Sequence, residues 1–226
     1  MPETPHIVSD VMTRKVVAVR RDAPFKEIVR TMGQWKVSAL PVLEGDGRVI
    51  GVVSEADLLP KEEFRDSTAS LRQQRQRLSD VAKAGAVTAE EAMSTPAISV
   101  HPDVTLAQAA RIMAVRHVKR LPVVDDEGVL KGIVSRGDLL KVFLRSDDDI
   151  EEEVRRTVVS YLFPALSHTI HVNVHEGVVT LRGKVQDTSL VSVAARLVRA
   201  VEGVVDVEPH LTGASGTPAG SEGAAQ

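Results

Sequence analysis

Gly51-Val-Val-Ser-Glu-Ala-Asp57 and Gly132-Ile-Val-Ser-Arg-Gly-Asp138 are one phrase written twice, 81 residues apart. Extended outward at that fixed offset, Val11–Leu59 aligns with Ala92–Leu140 without a gap, and 16 of the 49 positions are identical. Ordinary residue frequencies would give roughly three. The identities include Met12/Met93, Asp22/Asp103, Met32/Met113, Leu40/Leu121, Pro41/Pro122, Gly51/Gly132, Ser54/Ser135 and Asp57/Asp138. An internal repeat therefore organises the first two thirds of the chain.

Each copy reads alike. A short β-branched run (Val16–Val19; Ala97–Val100) leads through a polar turn into a helix. In the second copy Leu106, Ala109, Ala110 and Met113 recur at i, i+3, i+4 and i+7 and predict one buried face. An apolar strand comes next (Val37–Leu43; Val118–Val124), then a turn at Gly47 or Gly128 and a second strand (Val49–Val53; Leu130–Val134). A closing helix begins at the serine. The unit is β-α-β-β-α, and the fold class is α/β. A copy of about 50 residues buries too little surface to stand alone, so the two copies are expected to pack through their sheets about a pseudo-two-fold axis, with a cleft between them.

Leu-Pro-Val-Val-Asp (121–125) together with the two Gly-x-Val-Ser-x-x-Asp strings resembles the paired CBS motif, or Bateman module, over about residues 6–145. The resemblance implies an adenosyl ligand, such as AMP, ADP, ATP, NAD or S-adenosylmethionine, bound in the clefts by these serines and aspartates. Local chemistry permits two roles. A strand-to-helix junction offers backbone N–H groups to a phosphate, and an Asp three residues on can accept bonds from two vicinal ribose hydroxyls. Ser-x-x-Asp is also a helix N-cap pattern, and repetition does not separate the roles, because a repeated fold repeats its caps.

In related modules a basic residue just before Leu-Pro often faces ligand phosphates. His117-Val-Lys-Arg120 fills that place in the second copy and Val37-Ser38-Ala39 in the first. Strand alternation sends Lys119 to the side of Leu121 and Val123 and Arg120 to the other. The site of Asp138 and Arg120 is therefore expected to hold phosphorylated ligands more tightly than that of Asp57. The candidate ligand-binding set is Ser54, Asp57, Ser135, Asp138, Arg120 and Lys119, with Val37 and Ile98. Trp35, the only tryptophan, reads as core or dimer contact.

Residues 61–87 form a mildly basic connection with sparse apolar anchors, Leu71, Leu78 and Val81, and predict a partly solvated helix. Thr88-Ala-Glu-Glu91 has the form of a capping box that restarts helix before the second copy, residues 88–145. Beyond Arg145, Asp147–Glu153 opens a helix with Ile150, Val154, Val158, Tyr161 and Leu162 on one side, its acids placed where the helix dipole favours them. Ile170, Val172 and Val174 then alternate with His171, Asn173 and His175, and Glu176-Gly177 makes a hairpin turn into Val178–Val185. The next helix has Leu190, Val193, Ala194, Leu197, Val198 and Val201 on one face and is ended by Gly203 before a last strand, Val204–Glu208. Residues 149–212 thus form a small α-β-β-α-β (α+β) layer, and 213–226 a Gly-, Ala- and Ser-rich tail expected to be disordered. Gly177-Val-Val-Thr-Leu-Arg-Gly183 and Val-Glu-Gly-Val-Val (201–205) resemble the BON domain, a family linked with phospholipid or envelope attachment. Six Lys or Arg against eight Asp or Glu in residues 150–212 give little support to binding anionic lipid.

The rest of the sequence narrows the function. Of 226 residues 43% are hydrophobic, enough for a real core, and 28 basic against 31 acidic residues supply no field to draw the chain onto nucleic acid. There is no cysteine, hence no disulfide, thiolate metal site or thiol nucleophile. His171 and His175 share a strand face but stand four strand residues or ~13 Å apart, too far for shared coordination. No hydrolase, kinase or metalloprotease motif is present. With neither signal peptide nor membrane helix in the sequence, the expectation is a cytoplasmic, non-catalytic regulatory protein, a homodimer through the CBS module with an unidentified protein partner. The competing reading is a ligand-independent stress scaffold with the BON domain as interaction module.

Overall fold

The computed structural model describes residues 6–63 and 83–213, which fall into two compact units, His6–Leu139 and the described residues from Leu140 onward. In the first unit α1 (Val8–Val11) precedes β1 (Val19–Arg20), α2 (Phe25–Trp35), β2 (Ala39–Glu44), β3 (Arg48–Ser54), α3 (Glu55–Leu58) and α4 (Pro60–Glu63). Further along the chain come α5 (Ala89–Ala92), α6 (Leu106–Val115), β4 (Arg120–Val124), β5 (Leu130–Ser135) and α7 (Arg136–Leu139). The β-α-β-β-α order is complete in the first copy, and the second repeats its α-β-β-α part. Most of the connecting helix expected over 61–87 lies outside the described residues, as does the expected disordered tail beyond Gly213.

The strands form where β-branched and leucine side chains supply a buried face. β2 pairs antiparallel with β3 from Ala39↔Ser54 to Glu44↔Arg48, and β4 pairs with β5 from Arg120↔Ser135 to Val124↔Leu130. The leading strands are shorter than the β-branched runs suggest. β1 is two residues, parallel to β2, and its counterpart is a single bridge, Val100↔Val123. The residues before them are committed elsewhere, because Thr13 exchanges both backbone hydrogen bonds with Ile133 and Ser94 does the same with Val52. Each copy's lead-in therefore crosses onto the other copy. Val8 N–H donates to Val104 C=O at 2.8 Å, while Ala89 N–H donates to Ala23 C=O at 2.9 Å. Ala86, Ala89 and Ala92 belong to the same core as Ile28, Met32, Leu40, Val42 and Val53.

Local signals hold where they are chemical. Glu91 accepts from the N–H groups of Val87 (2.7 Å) and Thr88 (3.3 Å), so the Thr88 box forms. Thr105 caps α6 by accepting from Gln108 N–H at 3.2 Å. In α6 Leu106, Ala109 and Met113 are buried and Ala110 is exposed, a narrower stripe than the spacing suggests. At the β4–β5 turn the Asp125 carboxylate takes Lys131 at 2.8 Å and Val129 N–H at 2.8 Å. The hydrogen bond from Lys131, then that from Val129, holds it below the usual aspartate range.

In the second unit a 3-10 turn (Leu140–Leu144) precedes α8 (Asp147–Val154), a π turn (Arg155–Val159) and α9 (Ser160–Leu162). These lead to β6 (His171–His175), β7 (Val178–Val185), α10 (Leu190–Arg199) and β8 (Asp206–Gly213) in sheet order β6-β7-β8. The π turn corrects the sequence-based helix face. One added residue per turn rotates the downstream side chains about the helix axis, so Val158, Val159 and Phe163 are buried and Tyr161 is 76% exposed. β8 is longer than expected and starts later, because it pairs parallel with β7 over Val178↔Asp206 to Val185↔Gly213. Glu176 and Gly177 both take positive φ, 49° and 73°, as a two-residue turn between the paired ends His175↔Val178 requires.

Asp147 has a further task beyond favouring the helix dipole: its carboxylate accepts from the turn N–H groups of Glu176 and Gly177, each at 2.9 Å. Asp147→Ala is expected to destabilise this unit by about 1–2 kcal/mol, measured by urea unfolding, with Asp147→Asn recovering part of the loss.

Candidate functional site

Two crevices in the first unit contain the Ser-x-x-Asp residues, and each draws on both copies. One, of about 690 Å³, is lined by Thr13, Lys15, Val16, Val17 and Lys36–Ala39 from the first copy and by Ser135 and Asp138 from the second. The other, of about 280 Å³, takes Ser54 and Asp57 from the first copy and Pro96–Ile98 and His117–Arg120 from the second. At the 81-residue offset Val17 matches Ile98, Lys36 matches His117 and Val37 matches Val118. The crevices are thus quasi-equivalent, each formed by one copy's Ser-x-x-Asp facing the other copy's lead-in and strand entrance. The crossing of the lead-ins is what builds them.

Local backbone geometry aims the walls. Lys36 and His117 end α2 and α6 in the left-handed conformation, φ 53° and 55°, where glycine is usual. Val37 N–H then closes onto Met32 C=O at 3.1 Å, and Val118 N–H onto Met113 C=O at 3.0 Å. That turn delivers Val37–Ala39 and Val118–Arg120 to the crevices, at a local strain of about 1 kcal/mol for each non-glycine residue.

The Ser-x-x-Asp units cap α3 and α7. Asp57 Oδ2 accepts from Ser54 N–H at 2.8 Å and from Ser54 Oγ at 2.6 Å. Asp138 Oδ2 does so from Ser135 N–H at 2.9 Å and Ser135 Oγ at 2.6 Å. Capping uses one oxygen of each carboxylate, so the cap role and a ligand role are chemically compatible. In Asp57 the second oxygen, Oδ1, accepts from Ser94 Oγ at 3.1 Å and from Lys83 Nζ. Neither Ser94 nor Lys83 is among the residues singled out by sequence. Lys83 is one of several basic residues in a mildly basic segment, and only the folded path brings it to Asp57. α3 and α7 are single turns (Glu55–Leu58 and Arg136–Leu139), so their dipoles are weak.

The cations are distributed differently from the expectation. Arg120 lines both crevices, and its Nη2 donates to Ser38 Oγ at 2.7 Å, bridging the copies. Lys119 lines the Asp57 crevice together with His117, whereas the Asp138 crevice has Lys15 and Lys36. Arg120 thus stands in the Asp138 crevice, and the expectation that the Asp57 site lacks this cation is corrected, since the crossing places the second copy's basic strand entrance against the first copy's aspartate. Lys119 is exposed, not core-facing: Leu121, Pro122 and Val123 are all buried, so this strand is covered on both faces and alternation does not sort its neighbours. Val37 stands with Asp138 and Ile98 with Asp57. Trp35 is 58% exposed at the rim of the Asp138 crevice and is not a core residue.

Known proteins share this architecture. The family model described as CBS domain matches residues 8–61 and 89–145, and that described as BON domain matches 146–214. An uncharacterised protein of Methanocaldococcus jannaschii is 30% identical over 154 residues, 61% of this chain and 91% of that protein. The CBS domain-containing protein YhcV of Bacillus subtilis is 32% identical over 132 residues, 58% of this chain and 81% of YhcV. Among solved structures, CBSX2 of Arabidopsis thaliana in complex with AMP matches at 28% identity and a TM-score of 0.54, covering 62% of this chain and 97% of that one. Two crossed β-α-β-β-α copies, then an α-β-β-α-β layer, carry these matches in the order of the chain, which belongs to the CBS-domain proteins, with a CBS pair followed by a BON domain.

Proposed function

We propose that this chain is a regulatory, non-catalytic module whose two crevices bind an adenosyl ligand and whose occupancy is relayed to a protein partner or to the BON domain. The observation that carries the reading is the quasi-equivalent pair of crevices, each joining an aspartate from one copy to the strand entrance of the other. A vicinal ribose diol matches a carboxylate, the apolar walls around Val37 or Ile98 suit a base, and Arg120 with Lys119, or Lys15 with Lys36, suits a phosphate. The AMP held by CBSX2 supports the same chemistry here. Because each crevice touches both copies, a ligand preferring one packing of the pair shifts the population toward it by its differential affinity.

Exposed Val29 and Trp35 on α2 and Val115 on α6 support self-association of the CBS pair as a homodimer. Among the described residues no helix is long and apolar enough to cross a membrane, which is compatible with the cytoplasmic setting we propose.

A thermal-shift panel of AMP, ADP, ATP, NAD and S-adenosylmethionine tests the proposal. A ligand at about a hundredfold its dissociation constant is expected to stabilise the protein by about 2.7 kcal/mol. Asp57→Asn and Asp138→Asn should each weaken one of two binding events by about tenfold or more, each tenfold being about 1.4 kcal/mol. No shift with any compound would leave the scaffold reading in its place.

A further inference from the structure

We infer that Lys83 makes the Asp57 crevice selective for phosphorylated adenosyl ligands, because its ammonium occupies the carboxylate oxygen a ribose would use and is released only to another anion. This rests on the proposed adenosyl-binding function and specifies it. Asp57 Oδ2 is committed to the cap, which leaves Oδ1 for a ligand. Lys83 Nζ donates to Oδ1 and also to Ser94 Oγ at 3.0 Å, while Ser94 Oγ donates to the same Oδ1 at 3.1 Å. The side chains of Lys83 and Asp57 are only 19% and 12% exposed, so the pair is not a solvated surface contact.

The backbone near Lys83 is held in place. Lys61 Nζ donates to Ala86 C=O at 2.7 Å and to Ala84 C=O at 3.3 Å, and lies 4.9 Å from the centre of the Phe25 ring. Ala86 N–H in turn donates to Lys83 C=O at 3.0 Å. Lys83 thus reaches Asp57 from a fixed base, and its flexible four-carbon stem allows the ammonium to swing without moving that base.

The selectivity comes from charge. An uncharged nucleoside would exchange an ammonium–carboxylate bond for hydroxyl–carboxylate bonds and leave a largely buried ammonium without a counter-ion, an unfavourable exchange. A nucleotide brings its own anion, so Lys83 leaves Asp57 for the phosphate while the ribose takes Oδ1. The ammonium keeps an anion throughout, and the carboxylate keeps hydrogen-bond donors from the ribose and the cap.

Calorimetric titration of the full chain with AMP and with adenosine, in the wild type, Lys83→Met and Lys83→Arg, tests this. In Lys83→Met adenosine should bind more tightly and AMP less so, and the AMP-to-adenosine affinity ratio at one of the two sites should fall by about tenfold or more. Lys83→Arg keeps the charge and should keep the preference for AMP. In an Asp57→Asn background, where the ion pair is already gone, Lys83→Met should raise adenosine affinity no further. A ratio unchanged within about twofold in Lys83→Met overturns the role of Lys83 while leaving adenosyl binding intact. Binding of neither ligand to any of the proteins overturns the adenosyl reading and, with it, this assignment.

Discussion

Gly132→Ala is expected to destabilise the CBS pair by about 1–3 kcal/mol, although the same change in an ordinary strand position stabilises by about 0.4–1 kcal/mol through the unfolded chain. The sign reverses because β5 is crossed at this residue by the lead-in of the other copy. A Cβ on Gly132 would stand 2.6 Å from Met12 Sδ and 3.0 Å from Thr13 C=O. The methionine can swing aside, but the carbonyl cannot, since Thr13 and Ile133 exchange N–H···O=C bonds at 2.9 and 3.0 Å. Relief therefore requires opening that bridge. Gly51 is the quasi-equivalent position, where a Cβ would meet Met93 Cγ at 2.9 Å and Ser94 C=O at 3.0 Å. Urea unfolding of Gly132→Ala, Gly51→Ala and the double variant is the measurement. Adding Met12→Ala to Gly132→Ala should recover only the part owed to sulfur. A gain in stability in either single variant would show that the crossed lead-ins do not close on these strands. Because the same crossing forms the crevices, the destabilised variants should also bind AMP more weakly.

Leu181→Ala should cost the BON unit about 2–5 kcal/mol. Leu181 is wholly buried on β7, the central strand, in one cluster with Ile150, Val154, Val172, Val198 and Val207. Its truncation leaves a void in that cluster, which a sheet paired on each side of β7 closes only in part. Among the described residues none of this unit lines either crevice, so adenosyl binding should persist with its affinity unchanged. Unfolding monitored by near-ultraviolet signal and, separately, by AMP titration distinguishes the two effects. Loss of AMP binding together with the C-terminal unit would mean that the BON domain supports the CBS pair directly.

The contrast between these variants mirrors the division between local and long-range information in the chain. The repeat fixes which positions are equivalent, and patterning fixes the element order, because burial of one face depends on side-chain spacing along a single segment. The capping roles of Ser54, Ser135 and Thr88 are readable for the same reason, since each donor and acceptor lies within a few residues of its partner. Tyr161 is misplaced by spacing alone because a π turn is set by how a helix packs, and no residue in Arg155–Val159 announces it.

Which copy's aspartate faces which copy's cations is decided only in three dimensions. A repeat read along the chain keeps Asp138 with Arg120 and Asp57 with Ala39, and the folded chain retains both pairings, but it also sends each lead-in across its neighbour and so adds Lys119, His117 and Arg120 to the crevice of Asp57. Lys83 meets Asp57 across 26 positions of sequence for the same reason. Local periodicity carries no information about contacts of that span, since they arise from the burial of two incomplete cores against each other. The sequence by itself determined the doubled unit, its caps and its BON-like partner, and tertiary structure alone determined how the two copies share their sites.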